Sequence, residues 1–244
     1  MNLGETPATG SPAAPGGGSN LKEAAKRLAH GVLDPLVRGL TWLGVGPDAL
    51  TVTGFVLGIL AAVAYFEGAF PYGSLLLAFS GLCDLLDGQL ARRQQRASRF
   101  GAFLDSTLDR LSEAAVLTGI TGYYLVNLLE LVLDPARVLE ELGRGLEPRT
   151  WAVLALTGVM AQVGSFMVSY TRARAEGLGI ECRVGWFERP ERLLLIMIAG
   201  AFGVGPVMPA ALIALTLMSF ATAVQRVVHV WNNTRGDAGS ERRM

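Results

Sequence analysis

Six stretches of mostly apolar residues, close to the length of a bilayer crossing, follow one another after Pro47 and leave few folds open. They run from about Asp48 to Phe66, Tyr72 to Arg93, Gly101 to Val132, Thr150 to Arg174, Pro190 to Phe202 and Pro209 to Val230. A helix needs about 20 such residues to traverse the hydrocarbon core. The fifth stretch approaches that length only if Pro190-Glu191-Arg192 forms its first turn. Gly46-Pro47 breaks the chain before the first stretch, and Gly203, Gly205 and Pro206 mark a tight turn between the last two. Composition agrees: the chain is 51% hydrophobic and 17% charged, whereas a soluble domain carries roughly 25% charged residues. The expected architecture is all-α, an integral membrane bundle of six transmembrane helices preceded by an interfacial amphipathic helix.

The flanks divide the rest of the chain. Residues 1–20 are rich in Gly, Pro, Ser and Ala, cannot bury enough apolar surface to offset ordering, and read as a disordered tail. No basic stretch followed by an apolar run precedes the bundle, so no cleavable leader is expected. Residues 21–45 contain LKEAAKRLAHGVLDPLVRGLTWL. Apolar residues recur there every three or four positions, with Lys22, Lys26, Arg27 and Arg38 among them. That pattern fits a helix lying on the membrane surface, and equally a soluble helix packed on the bundle's end; Pro35 would kink it. The catalytic bundle spans 46–233, and 234–244 form a polar C-terminal tail. Arginine and lysine set the orientation. With the N-terminus in the cytoplasm, the inner side receives Arg92, Arg93, Arg96, Arg99, Arg172, Arg174, Arg183, Arg189 and Arg192. The outer side keeps only Arg137, Arg144 and Arg149, so both termini lie inside. Zero net charge gives no general field for nucleic acid. Cys83, Cys182, His30 and His229 are too scattered for a disulfide framework or a zinc site.

Chemistry concentrates between Cys83 and Arg110, CDLLDGQLARRQQRASRFGAFLDSTLDR. Asp84 and Asp87, three apart, share one helical face with the small residues Gly88 and Ala91, and Arg92 lies at its edge. On the next helix Gly101, Asp105 and Asp109 recur every four residues. The short turn between the helices makes them antiparallel neighbours, so the four carboxylates converge near the cytoplasmic boundary. A lone aspartate at a helix end usually caps or pairs with arginine. Four together inside a membrane bundle are costly and functional by default. Divalent cations relieve their repulsion most simply, and an all-oxygen donor set suits Mg²⁺, Mn²⁺ or Ca²⁺.

The run Asp84-x2-Asp87-Gly88-x2-Ala91-Arg92-x8-Gly101-x3-Asp105-x3-Asp109 resembles the signature of the CDP-alcohol phosphotransferase family at every typed position. The resemblance implies the family's six-helix plan and a site of two Mg²⁺ or Mn²⁺ ions. Asp84, Asp87 and Asp105 would be ligands, and Asp109 a ligand or neighbour that acts as general base. It also implies that Pro47, Asp48, Thr51, Gly88, Ala91, Arg92, Ser98 and Gly101 bind a CDP-lipid. Pro47, Asp48 and Thr51 read equally as a helix start, with proline in the first turn and an acidic residue near the positive end of the dipole. A homodimer in a prokaryotic plasma membrane is implied as well, with the active site cytoplasmic.

Arginine clusters lie at the same membrane depth: Ser169-Tyr170-Thr171-Arg172-Ala173-Arg174-Ala175-Glu176, Glu188-Arg189-Pro190-Glu191-Arg192 and Gln225-Arg226. They resemble the prokaryotic phosphatidylinositol phosphate synthases of this family, with Arg172 where those have lysine. That resemblance implies an acceptor phosphate held by Ser169, Arg172, Arg174, Arg192 and Arg226. The substrates would be CDP-diacylglycerol or a CDP-ether lipid and inositol 1-phosphate. Glycerol 3-phosphate is the alternative acceptor. Arg183 and Arg189 read as charges obeying the positive-inside bias. A divalent-cation transporter would need a polar route through the outer half of the bundle, which Leu57–Tyr65 and Ala115–Tyr124 do not offer. A non-catalytic lipid-binding relative would have no reason to keep all four aspartates.

Overall fold

The computed structural model describes residues 33–95, 98–134, 136, 138 and 148–241. The expected N-terminal tail and the first half of the amphipathic segment lie outside the described residues. Residues 33–42 are helical (α1) and belong to a unit described by itself. The second unit, from Gly46 onward, is built from α2 (Pro47–Phe66), α3 (Phe70–Arg93), α4 (Arg99–Leu133), α5 (Pro148–Glu176), α6 (Arg189–Ala201) and α7 (Val207–Glu241). Among the described residues there is no strand. The helices begin and end within three residues of the sequence expectation, except that α7 runs on to Glu241, into the stretch read as a polar tail.

Within this unit each helix packs on two others: α2 on α3 and α4, α4 on α5, α5 on α7, α7 on α6, and α6 on α3. The six therefore close a ring. Unlike that of a soluble bundle, its outer surface is apolar. On α2 the buried face reads Thr51, Gly54, Gly58, Ala61, Ala62, Tyr65, while Val52, Val56, Leu60 and Val63 point outward. Small residues inside let backbones approach, and large apolar ones outside meet lipid. At Gly119 of α4 an added Cβ would lie 2.2 Å from the carbonyl oxygen of Ala62, so only glycine permits that crossing. Gly158 and Gly164 likewise face Thr121 and Ser219. These three glycines serve helix contacts within the chain. Tyr65, Phe70, Leu117, Ile120, Tyr124, Ile196, Leu212 and Leu215 fill the buried apolar core.

Five helices, α2, α3, α4, α5 and the Val207–Arg235 part of α7, are long and apolar enough to cross a membrane. The sixth, α6, has 13 residues, about 20 Å at 1.5 Å per residue, against a hydrocarbon core of about 30 Å. The expected bundle of six helices is present, but by length only five of them are crossings. Pro190-Glu191-Arg192 does form the first turn of α6, as the span would require, yet Phe202 caps the helix and Gly203 turns the chain at φ +80°.

Candidate active site

One end of the ring collects the N-termini of α2, α4 and α6 and the C-terminal parts of α3, α5 and α7. Five residues separate α3 from α4. Gln94 caps α3 with its N–H on the Leu90 carbonyl, and Gln95 takes a left-handed φ of +53°. Ser98 then opens α4, its Oγ accepting from the Gly101 N–H at 2.9 Å, an N-cap that satisfies one orphan donor. This turn sets Asp84 and Asp87 beside Asp105 and Asp109. Thr51 on α2 donates to Asp87 Oδ2 at 2.6 Å, and both side chains are buried. Gly54 leaves room for Asp84, whose Oδ1 lies 3.0 Å from where a Cβ would stand.

Two cavities flank these carboxylates. The first, about 210 Å³, is lined by Pro47, Asp48, Thr51, Asp87, Gly88, Ala91, Arg92, Ser98, Gly101, Ala102 and Asp105. Every residue expected to bind the CDP-lipid is on that wall. The second, about 340 Å³, carries Asp109, Arg110, Ser169, Arg172, Glu188, Arg189, Arg192 and Arg226. A narrow gap bounded by Thr51, Asp84, Asp109 and Arg189 lies between them, sharing Thr51 with the first and Asp109 with the second. The aspartates thus form the partition between two chambers.

Four of the five residues expected at the acceptor phosphate line the second cavity; Arg174 does not and is exposed. The reason is helical geometry: two positions on a helix are about 200° apart, so Arg172 and Arg174 cannot face the same side. Ser169 and Arg172, three apart, can. Arg192 is wholly buried and is held bidentately by Glu113, Nε to Oε1 at 2.5 Å and Nη2 to Oε2 at 2.8 Å. Arg226 donates to the Val168 carbonyl at 2.6 Å, the Val184 carbonyl at 2.9 Å and Glu188 Oε1 at 3.0 Å. Arg172 reaches Glu176 at 3.0 Å and the same Glu188 oxygen at 3.3 Å.

Three participants were not among the residues expected at the site. Glu113 was legible, since it extends the Asp105, Asp109 spacing by one more step of four. Arg189, read as a charge obeying the positive-inside bias, instead puts Nη1 2.9 Å from Asp84 Oδ2 and 2.8 Å from Asp109 Oδ2. Glu188 faces Arg172 and Arg226 rather than capping its own helix. Arg183, by contrast, is an exposed surface charge paired with Glu181 at 2.8 Å.

Among the described residues no three acidic, histidine or cysteine side chains stand in an arrangement that could hold a metal ion. A guanidinium already lies between two of the aspartates. The donor chemistry still fits a hard divalent cation: carboxylate oxygens only, with Asp84 and Asp109 already converging on one positively charged nitrogen. The consecutive helices α3 and α4 that carry them are not the direct neighbours expected, since α2 stands between them in the ring.

These features define an integral membrane enzyme with two polar chambers meeting at a carboxylate cluster. The chain belongs to the CDP-alcohol phosphatidyltransferase family, whose model matches residues 45–231. It is a multi-pass phosphotransferase of phospholipid synthesis that passes a group from a CDP-linked lipid to an alcohol. It is 39% identical to the archaetidylinositol phosphate synthase of Methanothermobacter thermautotrophicus over 77% of this chain and 84% of that one. It is 33% identical to the phosphatidylinositol phosphate synthase of Streptomyces avermitilis over 88% of this chain and 84% of that one. Among solved structures, it matches the Mycobacterium tuberculosis phosphatidylinositol phosphate synthase with CDP-DAG bound. That match has a TM-score of 0.66 and 29% identity, covering 82% of this chain and 94% of that one. The same enzyme in complex with manganese and citrate matches at a TM-score of 0.67 and 30% identity, over 82% and 88%.

Proposed function

We propose that this enzyme transfers the phosphatidyl group, or its ether-lipid counterpart, from a CDP-linked lipid to a hydroxyl of inositol 1-phosphate, yielding phosphatidylinositol phosphate and CMP. The observation that carries the reading is the partition. A donor chamber and a basic acceptor chamber meet at the carboxylates, with Asp109 on the acceptor side. The named relatives support inositol phosphate as acceptor: one is an archaetidylinositol phosphate synthase and the other a phosphatidylinositol phosphate synthase.

In the donor chamber Gly88, Ala91 and Gly101 leave space for the cytidine and pyrophosphate. Pro47, Asp48, Thr51 and Ser98 shape the far wall, and Arg92 offers charge-assisted hydrogen bonds to phosphate. In the acceptor chamber Arg172 is the half-exposed guanidinium best able to meet the phosphate, with Ser169 beside it. Arg226 and Arg192 lie behind as fixed positive charge. Asp109 takes the proton from the acceptor hydroxyl as that oxygen attacks the lipid-bearing phosphorus. The new P–O bond forms, the bond to CMP breaks, and its electron pair leaves with CMP.

Asp84, Asp87, Asp105 and Asp109 would hold two Mg²⁺ or Mn²⁺ ions. Such ions supply charge neutralisation of the pyrophosphate and of the departing CMP. Thr51 orients Asp87 for that task through its 2.6 Å bond. The arginine bias of the site end argues for a cytoplasmic active site in a prokaryotic plasma membrane, and the family resemblance for a homodimer.

The test is CMP release by the purified full chain with CDP-diacylglycerol and Mn²⁺ or Mg²⁺, comparing inositol 1-phosphate with glycerol 3-phosphate. Release with inositol 1-phosphate is expected. Release with glycerol 3-phosphate alone would refute the acceptor assignment.

A further inference from the structure

Two consecutive residues at the start of α6 stand where ligands of opposite charge would bind. Arg189 places one nitrogen between Asp84 and Asp109, at 2.9 and 2.8 Å. Glu188 places one oxygen between Arg226 and Arg172, at 3.0 and 3.3 Å. Each side chain therefore satisfies the charge of a subsite built for something else: a cation among carboxylates, an anion among guanidiniums. Neither is locked in place as its neighbours are. Arg192 uses all three of its nitrogens on Glu113 and the Phe187 carbonyl. Arg189 Nε, in contrast, is buried without a hydrogen-bond partner among the described residues, and a buried unpaired donor is unfavourable. Glu188 makes no capping bond to its own helix, so nothing in the helix start depends on its carboxylate.

We infer that Glu188-Arg189 is an internal counter-charge pair, a tethered stand-in for cation and phosphate, which the metal and the phosphorylated acceptor displace together. This rests on the metal and phosphate assignments proposed above. A divalent ion on Asp84 and Asp109 competes with Arg189 for the same oxygens. A phosphate on Arg172 and Arg226 competes with Glu188 for the same guanidinium groups. Because the two residues are adjacent in the chain, release of one loosens the other. Arg189 already borders the acceptor chamber, so its freed guanidinium adds positive charge there. Metal binding thereby favours phosphate binding, and by linkage phosphate favours metal to the same degree.

The experiment uses the full chain in detergent, with Mn²⁺ binding followed by electron paramagnetic resonance and inorganic phosphate binding by calorimetry. In the unmodified chain, saturating Mn²⁺ should tighten phosphate binding by about tenfold, within the usual span of coupling between sites. Arg189→Gln should tighten Mn²⁺ binding in the absence of phosphate by a comparable factor, and Arg189→Lys by much less. Glu188→Gln should tighten phosphate binding in the absence of Mn²⁺. In the double variant Glu188→Gln/Arg189→Gln the coupling should vanish. Saturable Mn²⁺ binding whose affinity is unchanged or weaker in Arg189→Gln overturns this inference alone. Coupling that persists in the double variant does the same. Absence of saturable Mn²⁺ binding in every form removes the metal reading and this inference with it. The measurement on the unmodified chain needs no variant to fold, and independent binding of Mn²⁺ and phosphate there is refutation enough.

Discussion

Replacing Arg192 by methionine tests whether this arginine is structural or a ligand for the acceptor. Its side chain is wholly buried, and both arms of its guanidinium engage Glu113, itself almost inaccessible. Removing one member of such a pair leaves the other charge buried without compensation, which costs about 3–5 kcal/mol. For a unit of this size 1 kcal/mol moves the thermal midpoint by about 2–4 °C, so Arg192→Met should lower it on the order of 10 °C. Glu113→Leu alone should cost a similar amount by stranding the guanidinium. The double variant Glu113→Leu/Arg192→Met removes both charges and should recover most of the loss, because a buried ion pair and an apolar substitute of similar volume are nearly equivalent. Thermal scanning fluorimetry in detergent on the four proteins of this cycle measures the coupling directly. A midpoint within about 2 °C of the parent for Arg192→Met, together with a raised KM for the phosphorylated acceptor, would refute the reasoning and make Arg192 a direct phosphate ligand.

Asp109→Asn should lower CMP release by about 10²–10⁴-fold, the usual worth of a positioned base, while Mn²⁺ still binds; near-normal turnover would exclude Asp109 as the base. Thr51→Val deletes the 2.6 Å bond to buried Asp87 and should cost about 1.5–3 kcal/mol of stability, read as a lower thermal midpoint with reduced turnover. Gly119→Ala drives a methyl group to 2.2 Å from the Ala62 carbonyl oxygen; the α2–α4 crossing must open, at about 1–3 kcal/mol or more, and an unchanged midpoint would show the crossing to be slack. Arg172→Gln should raise KM for the phosphorylated acceptor and leave that of the CDP-lipid, whereas Arg92→Ala should do the reverse; steady-state kinetics with each substrate varied separates the two chambers.

The carboxylate cluster was legible because its members sit on two helices joined by a few residues. Spacings of three and four put Asp84 with Asp87, and Asp105 with Asp109, on single faces, and the short turn brought both faces to the same end of the ring, although α3 and α4 each pack on α2 rather than on one another. The same rule applied to Arg172 and Arg174 would have excluded Arg174 from the cavity, and applied to Glu113 would have extended the acidic row. Both were within reach of helical periodicity alone.

What the sequence by itself determined is therefore local or averaged: helices of spanning length, the face each aspartate occupies, the short turn between the two aspartate helices, and the concentration of arginine at one end. Tertiary structure alone decided which charges meet. Arg189 lies 105 residues from Asp84, and Arg192 lies 79 from Glu113. Nothing in the spacing along one helix tells whether an arginine faces water, a lipid headgroup or a carboxylate on a distant helix. Ring closure, with α6 set between α3 and α7, brings its first turn to the partition between the two chambers. That placement turns Glu188-Arg189 from a basic-acidic doublet at a helix start into the contact between both charged subsites.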